Sequence, residues 1–433
     1  METGKTIHGS ANLVFDALGN TAQIVEDMHR NIAATPWPLG TAPEGATGGI
    51  TGAVYGAVKT GIRATRGITS ALLAGLAPAL DRTAVPGPHR EAAIAALNGI
   101  CGDHLVESSN PLAIPMRLRV FLPPLSPGTD YPAPERTATE DAAPFSGLFE
   151  THKRPVEIHP CPDALAEPDF EAGGNILLLL HGLCMNDREW TSAQHNHAEA
   201  LAQNCGYSPV YALYNSGRNI STNGRDLSGQ LSGLLDTWPV PVESITIIGF
   251  SMGGLVTRSA MHIAENEGHA WLDKVDKAVY LGTPHHGAAL ERGGYWLQKS
   301  VTYSPYTAPL AALGRIRSAG ITDLRHGNIR DDDWQHHDEH SDPRDRREPV
   351  ALAQGVRHYA IAGTLSRRSG ERTGNLRGDG LVHPASAIGS HEDPRFNLAF
   401  CEGHTRVIYD VGHLAMLQNP EVLEQLLEWL DRQ

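Results

Sequence analysis

Hydrophobic and polar residues alternate differently in successive parts of the chain. From Ser10 to Ala33, and again from Ile50 to Leu80, apolar residues recur at spacings that favour helices. Pro88–Leu97 predicts another helix, with Gly99 just past its end. Residues 119–175 are rich in proline and polar side chains. The first ~115 residues therefore form a region of their own by pattern.

Short apolar runs alternating with helical segments dominate the chain from Ile176 onward. Ile176–Leu180 has no polar position, which is typical of a strand buried on both faces of a parallel sheet. The tail, Pro420–Leu430, predicts an amphipathic helix. Further predicted strands are Arg117–Leu122, Val156–His159, Val210–Tyr214, Ile245–Phe250, Lys277–Leu281, His358–Ala362 and Arg406–Tyr409. This alternation predicts an α/β fold with a mostly parallel central sheet flanked by helices.

The α/β pattern is interrupted once, over about 288–355. This stretch contains the charged segment DDDWQHHDEHSDPRDRRE, which is too polar for a core and predicts a solvated excursion over the sheet. We therefore expect an N-terminal helical region at 1–115 and an α/β domain at 116–433, with a cap or lid inserted at about 288–355.

Composition limits the compartment and the partners. The formal net charge of −14 disfavours nucleic acid, because duplex binding requires Lys and Arg to neutralise phosphates. The five cysteines form no paired motif, which fits a reducing compartment. The N-terminus lacks the pattern of a secretory signal, and the apolar stretch Gly67–Leu80 is shorter than the ~20 residues of a membrane span. We expect a soluble, cytoplasmic protein.

The string Gly249-Phe250-Ser251-Met252-Gly253 is the main chemical motif. It lies between the apolar run SITII and the helical run LVTRSAMHIAEN. This strand–turn–helix context predicts a nucleophile elbow, in which flanking glycines permit a sharp turn and the serine hydroxyl is presented at a helix N-terminus. Ser251 is the predicted nucleophile.

A serine nucleophile needs a base, which an acid orients. In this architecture the acid and then the histidine follow the serine along the chain. His413 lies between the last predicted strand and the terminal helix, where the base belongs. Asp379, flanked by two glycines, follows an earlier strand by a loop, although Asp410 and Glu402 are alternative acids.

Two backbone N–H groups are needed to bind the oxyanion of an acyl-transfer intermediate. Met252 supplies one, because it follows the nucleophile. Leu183 supplies the other, because it follows His181-Gly182 at the end of the buried strand.

Seven strings within residues 176–418 resemble the α/β-hydrolase superfamily, specifically bacterial esterase/lipase-type proteins related to the lipase and GPI-inositol-deacylase-like branch. The resemblance implies Ser251, Asp379 and His413 as the triad, and Leu183 and Met252 as oxyanion donors. It implies hydrolysis of a small-molecule or lipid carboxylic ester through an acyl-enzyme, without metal or cofactor. The strings are LLLLHGLCMND, YNSGRNISTNGRDLS, IIGFSMGGLVTRSA, YLGTPHHGA, RSAGITDLRHGN, GDGLVHPASAIG and VGHLAML.

Other functions use the same features. The triad could transfer the acyl group to another acceptor, the chain could be a depolymerase on lipid or polyester granules, or it could be a non-catalytic scaffold. Residues 45–80 carry three cations and no acid, which fits peripheral contact with a membrane or lipid surface. We favour the simpler interpretation that they pack on the hydrolase domain or in a homodimer.

The loop histidines His285 and His286, in the string GTPHHG, are interpreted as pocket-wall or structural residues. The cluster His336, His337 and His340 could hold a cation, but a solvated charged loop is the favoured interpretation.

Overall fold

A computed structural model describes residues 88–122, 153–158, 171–191, 196–288, 318–335, 347–367 and 378–431, with only isolated positions before residue 88. The helices predicted at Ser10–Ala33 and Ile50–Leu80 lie outside the described residues except at those few positions. The basic residues Arg63 and Arg66 and the cluster His336, His337 and His340 also lie outside them.

The described strands form one eight-stranded sheet in the order β2-β1-β4-β3-β5-β6-β7-β8. β1 is antiparallel to both β2 and β4, and every other pairing is parallel. The strands are β1 (Arg117–Leu122), β2 (Arg154–Glu157), β3 (Asn175–Leu180), β4 (Ser208–Leu213), β5 (Ser244–Phe250), β6 (Val275–Leu281), β7 (Arg357–Thr364) and β8 (Thr405–Tyr409). The predicted α/β class is confirmed, and each predicted strand lies within two residues of its observed bounds.

Helices connect and cover the strands. They are α1 (Pro88–Glu107), α2 (His197–Cys205), α3 (Ile220–Thr237), α4 (Met252–Glu267), α5 (Ala319–His326), α6 (Asp332–Gln335), α7 (Pro384–Ala387) and α8 (Pro420–Leu430). Short 3-10 turns lie at Asp187–Trp190, Leu272–Lys274, Pro394–Phe396 and Leu414–Gln418. None of the helices in these described segments is long and apolar enough to cross a membrane.

The expectation that the first of these helices ends before Gly99 is wrong. α1 continues to Glu107, with a kink at Cys101. Gly99 has a packing role instead, because a Cβ atom there would collide with the backbone and thiol of Cys184. Glycine is therefore required at position 99 because two segments approach each other closely there. The local sequence alone cannot show such a contact.

The sheet is covered on both faces, as the apolar run in β3 predicts. Ile176, Leu178 and Leu180 belong to one buried cluster, together with residues of α3 and α4. Leu177 and Leu179 belong to a second cluster, with residues of α2 and α8. The alternation follows from the period of two along a strand.

The chain contains two compact units by its internal contacts. One comprises Pro88–His104 and Ile114–Gln433, and the other comprises Met1–Gly87 and Leu105–Ala113. Most of α1 therefore packs with the sheet, although its sequence pattern groups it with the N-terminal region.

The described parts of the predicted cap insertion are partly integrated into the domain. Asp323 of α5 is fully buried, and its Oδ2 accepts the backbone N–H of Ile220 at the start of α3. Burial raises the pKa of Asp323 to about 6. Asp333 is only 3% exposed and accepts the backbone N–H groups of Ile329 and Arg330, so the prediction of a wholly solvated charged segment is wrong at this position.

Candidate active site

Ser251 occupies a strained turn between β5 and α4. Its φ of 53° and ψ of −120° lie outside the regions that residues with a Cβ ordinarily adopt. The backbone N–H of Ser251 donates to Leu281 O of the adjacent strand at 2.8 Å, and Gly254 N–H donates to Ser251 O at 3.1 Å. These bonds hold the serine at the carboxyl end of β5, where an elbow is expected.

The glycines flanking Ser251 are required by close backbone contacts. A Cβ on Gly249 would lie 2.6 Å from Gly254 Cα, and a Cβ on Gly253 would lie 2.5 Å from Leu180 O. Neither position tolerates a side chain unless the backbone moves. The spacing predicted from the motif therefore has a direct steric cause in the structure.

His413 and Asp379 form a buried pair. His413 Nδ1 lies 2.7 Å from Asp379 Oδ2, and the residues are 5% and 4% exposed. Asp379 Oδ1 accepts the backbone N–H groups of Leu381 and Val382, and the backbone N–H of His413 donates to Asp379 O at 3.0 Å. The carboxylate is thus fixed by its own loop and in turn fixes the imidazole.

The His413 ring lies close to the elbow. The ring centroid lies 4.9 Å from that of Phe250, the residue before the nucleophile. His413 Nε2 is buried and has no hydrogen-bond partner within the described segments. A hydrogen bond to Ser251 Oγ is therefore not formed, although such bonds are often long without substrate.

The alternative acids do not bind the imidazole. Asp410 and Glu402 are both exposed, whereas the Nδ1 atom of His413 is already bonded to Asp379. Asp410 has a φ of 57°, and its backbone N–H donates to Ser366 O. The loop after β8 therefore turns at Asp410 and carries His413 inward.

The turn after β3 packs directly against the nucleophile. A Cβ on Gly182 would lie 3.2 Å from Ser251 Cβ, so Gly182 and Leu183 pass close beside the elbow. Met252 begins α4, where backbone N–H groups are free of helical partners and the helix dipole is positive. Both predicted oxyanion donors, Leu183 and Met252, thus lie in segments next to Ser251.

His181 supports this turn, a role that the sequence did not indicate. Its Nδ1 lies 2.8 Å from Gly182 O, and the backbone N–H of Tyr214 donates to its Nε2 at 3.3 Å. Because a backbone N–H can only donate, the imidazole is neutral with its hydrogen on Nδ1. Burial lowers the pKa of His181 to about 4, which keeps it neutral. The only sequence signal for this supporting role is the His181-Gly182 pair at the end of the buried strand.

Ser216 is a second supporting residue that the sequence did not indicate. Its Oγ accepts the backbone N–H of Cys184, a residue held at a φ of 61°. Burial raises the pKa of the Cys184 thiol to about 12, which favours a packing role over a reactive one.

The described residues contain no group of three or more His, Cys, Asp or Glu side chains arranged to hold a metal ion. Nucleophilic acyl transfer requires a base that activates a hydroxyl and backbone N–H groups that meet the developing charge.

Comparison with known proteins finds one family model that is similar to part of the chain. Residues 171–355, fewer than half of the chain, match the family described as PGAP1-like alpha/beta domain. A search of curated proteins finds no match to this sequence.

Several solved structures are similar in part. A Bacillus licheniformis lipase, BlEst2 in mature form, is 18% identical over 59% of this chain and 92% of its own, with a TM-score of 0.38. A Pyrobaculum calidifontis esterase is 13% identical over 78% of this chain and 90% of its own, with a TM-score of 0.39. A Pyrococcus furiosus esterase is 17% identical over 59% of this chain and 82% of its own, with a TM-score of 0.33.

Proposed function

We propose that this chain is an α/β-hydrolase that hydrolyses carboxylic esters through Ser251, His413 and Asp379. One observation carries the proposal. His413 is held by Asp379 through a 2.7 Å contact at Nδ1, while its buried Nε2 has no partner among the described residues and its ring lies close to the strained Ser251 turn. An oriented imidazole with one unused nitrogen close to a serine at a strained strand-to-helix turn supports nucleophilic catalysis.

The first half-reaction forms an acyl-enzyme. Ser251 Oγ attacks the ester carbonyl as His413 Nε2 takes the hydroxyl proton. Asp379 accepts the hydrogen bond from Nδ1–H and stabilises the imidazolium that forms. The N–H groups of Leu183 and Met252 bind the oxyanion, and Nε2–H then protonates the departing alcohol.

The second half-reaction repeats this sequence with water. His413 takes a proton from water, which attacks the acyl carbon, and the tetrahedral intermediate collapses to release the acid and Ser251. Each step uses only protein groups and water. The proton that leaves Ser251 is passed by His413 to the departing alcohol, and in the second half His413 passes a proton from the attacking water to Ser251 Oγ.

The rim of the site favours an apolar ester group. Leu365 is 50% exposed at the end of β7, in contact range of Gly380 beside Asp379 and of Gly412 beside His413. A half-exposed leucine between these two loops offers apolar surface to a substrate. The resemblance of the sequence to esterases and lipases supports the same substrate class.

A chain-length series of p-nitrophenyl esters tests the proposal. We expect saturable hydrolysis by the full chain and a loss of at least about 10³-fold in kcat for Ser251→Ala. Ser232→Ala, which removes a hydroxyl on α3 that donates to Ser228 O, is the matched control and should keep wild-type activity.

Covalent labelling and product analysis complete the test. A fluorophosphonate should label the full chain but not Ser251→Ala, and equal labelling of both would contradict the assignment. Product analysis with an added alcohol separates hydrolysis from acyl transfer: free acid as the main product supports hydrolysis, and a new ester as the main product supports a transferase.

A further inference from the structure

A buried guanidinium lies on α4, the helix that follows Ser251, and has no charged partner among the described residues. Arg258 of α4 is 7% exposed. Its Nη2 donates to Val350 O at 2.7 Å, but its buried Nε has no hydrogen-bond partner in the part of the chain that the structure describes. Within the described part of the chain, no carboxylate lies within ion-pair distance of Arg258. A buried positive charge without an anionic partner is costly and calls for a compensating group.

The neighbouring His285 is also unsatisfied. It is 1% exposed, and neither ring nitrogen has a hydrogen-bond partner within those segments. Tyr280 packs its ring against the imidazole at 4.9 Å between centroids. Burial and the charge of Arg258 hold the pKa of His285 well below its usual value, so the ring is neutral and retains one N–H donor.

Arg258 and His285 line one cavity of about 20 Å³. This volume holds one or two species the size of water. Two carboxylates also line the cavity, but both are engaged: Asp333 accepts backbone N–H groups, and Glu348 pairs with Arg330. The Glu348 side chain is 74% exposed, so the cavity reaches solvent on that side. The other lining residues are His286, Gly327, Ile329, Arg347, Val350 and Phe396.

We propose that this cavity is a binding site for a small monoatomic anion of the size of chloride, held by Arg258 and by the N–H of His285. The guanidinium of Arg258 and an N–H of His285 meet there, and a volume of about 20 Å³ suits a single small ion. The anion supplies the negative charge that buried Arg258 lacks, and it accepts the two unused N–H groups.

The site is connected to His413 through one short segment. Gly282, three residues before His285, has a φ of 59°, and a Cβ there would lie 3.2 Å from His413 Cε1. Fixing His285 therefore steadies the backbone against which the imidazole packs. This consequence for catalysis rests on the proposed function, whereas the binding site does not.

Anomalous diffraction locates the ion directly. Crystals of the full chain soaked in bromide should show an anomalous peak within about 3.5 Å of Arg258 Nε. In solution, replacing gluconate by chloride at constant ionic strength and pH 8 should raise Tm saturably, by about 5 °C at a hundredfold excess over Kd. A cavity without a bromide peak, or equal Tm values in the two salts, would overturn the proposal in favour of water alone.

Variants assign the effect to this site. Arg258→Gln should abolish the chloride-dependent rise in Tm, and Arg225→Gln, which removes an exposed arginine paired with Asp331, should retain it. If Arg258→Gln does not fold, His285→Phe serves as the test variant, because phenylalanine fills the cavity while Arg258 is kept. The chloride-dependent rise in Tm should then be lost. A wild-type response in His285→Phe contradicts the site. A bromide peak together with a kcat that does not depend on chloride would support the anion site and contradict its proposed effect on His413.

Discussion

The backbone N–H of Cys184 donates a hydrogen bond to Ser216 Oγ over 3.0 Å, joining two loops that are 32 residues apart. Both residues are buried, and Cys184 has a φ of 61°. The bond therefore holds a strained residue directly after Leu183, whose N–H is one of the two proposed oxyanion donors. Ser216 is a positioning residue in this interpretation, since it acts through the turn and not on substrate.

Ser216→Ala should lower kcat roughly tenfold with little change in KM, because a loosened donor is misplaced mainly for the oxyanion. Steady-state kinetics on a p-nitrophenyl ester measure both constants. Ser259→Ala is the control, since Ser259 is equally buried but donates to Ile329 O away from the turn. Equal kcat losses in both variants would show a general effect of lost hydroxyls.

Asp379→Asn should lower kcat on the order of 10³-fold and leave the fold intact. The amide can still occupy the loop, but it no longer stabilises the imidazolium or selects its tautomer. Asp410→Asn is the matched variant, because asparagine also tolerates a φ of 57° and Asp410 is exposed. A larger kcat loss for Asp410→Asn than for Asp379→Asn would reassign the acid.

Gly253→Ala should destabilise the protein by about 3 kcal/mol or more, since the new methyl group would lie 2.5 Å from Leu180 O and 2.7 Å from His181 O. Urea unfolding measures the change. Gly229→Ala provides the contrast: nothing lies within 4 Å of a Cβ on that exposed residue of α3, so alanine should stabilise by about 0.5–1 kcal/mol. Similar destabilisation by both would remove the steric explanation.

Acid should destabilise the domain through buried neutral histidines. His181 has a pKa of about 4 when folded against an ordinary 6.5, so the unfolded chain binds the proton more readily between those values. Stability is complete above pH 6.5 and falls as the pH drops towards 4, by roughly 3 kcal/mol from this histidine alone.

The free energy of unfolding in urea at pH 7.5, 6 and 4.5 checks this expectation. His181→Phe should reduce the pH dependence, whereas His326→Gln, at an exposed position at the end of α5, should leave it unchanged. An unaltered slope in His181→Phe would show that other groups carry the acid sensitivity.

The fold class, the eight described strands, the sharp turn at Ser251 and the loop that carries His413 could all be predicted from local sequence patterns. These features are local: strand burial appears as continuous apolar runs, and a sharp turn with backbone on both sides requires glycine. Local sequence patterns could not distinguish Asp379 from Asp410 and Glu402 as the acid that binds His413. The assignment depended on which loop delivers a carboxylate to Nδ1, and only the folded loops show that contact.

The roles assigned to His181, Ser216 and Arg258 could not be predicted from the sequence, because they depend on contacts between distant segments. Each acts through partners from other segments, such as Tyr214 N–H, Cys184 N–H and Val350 O. A histidine, serine or arginine in a helix or loop has no pattern that distinguishes a supporting residue from a solvated one. The difference is burial and the direction of a few hydrogen bonds, which exist only after distant segments have packed together.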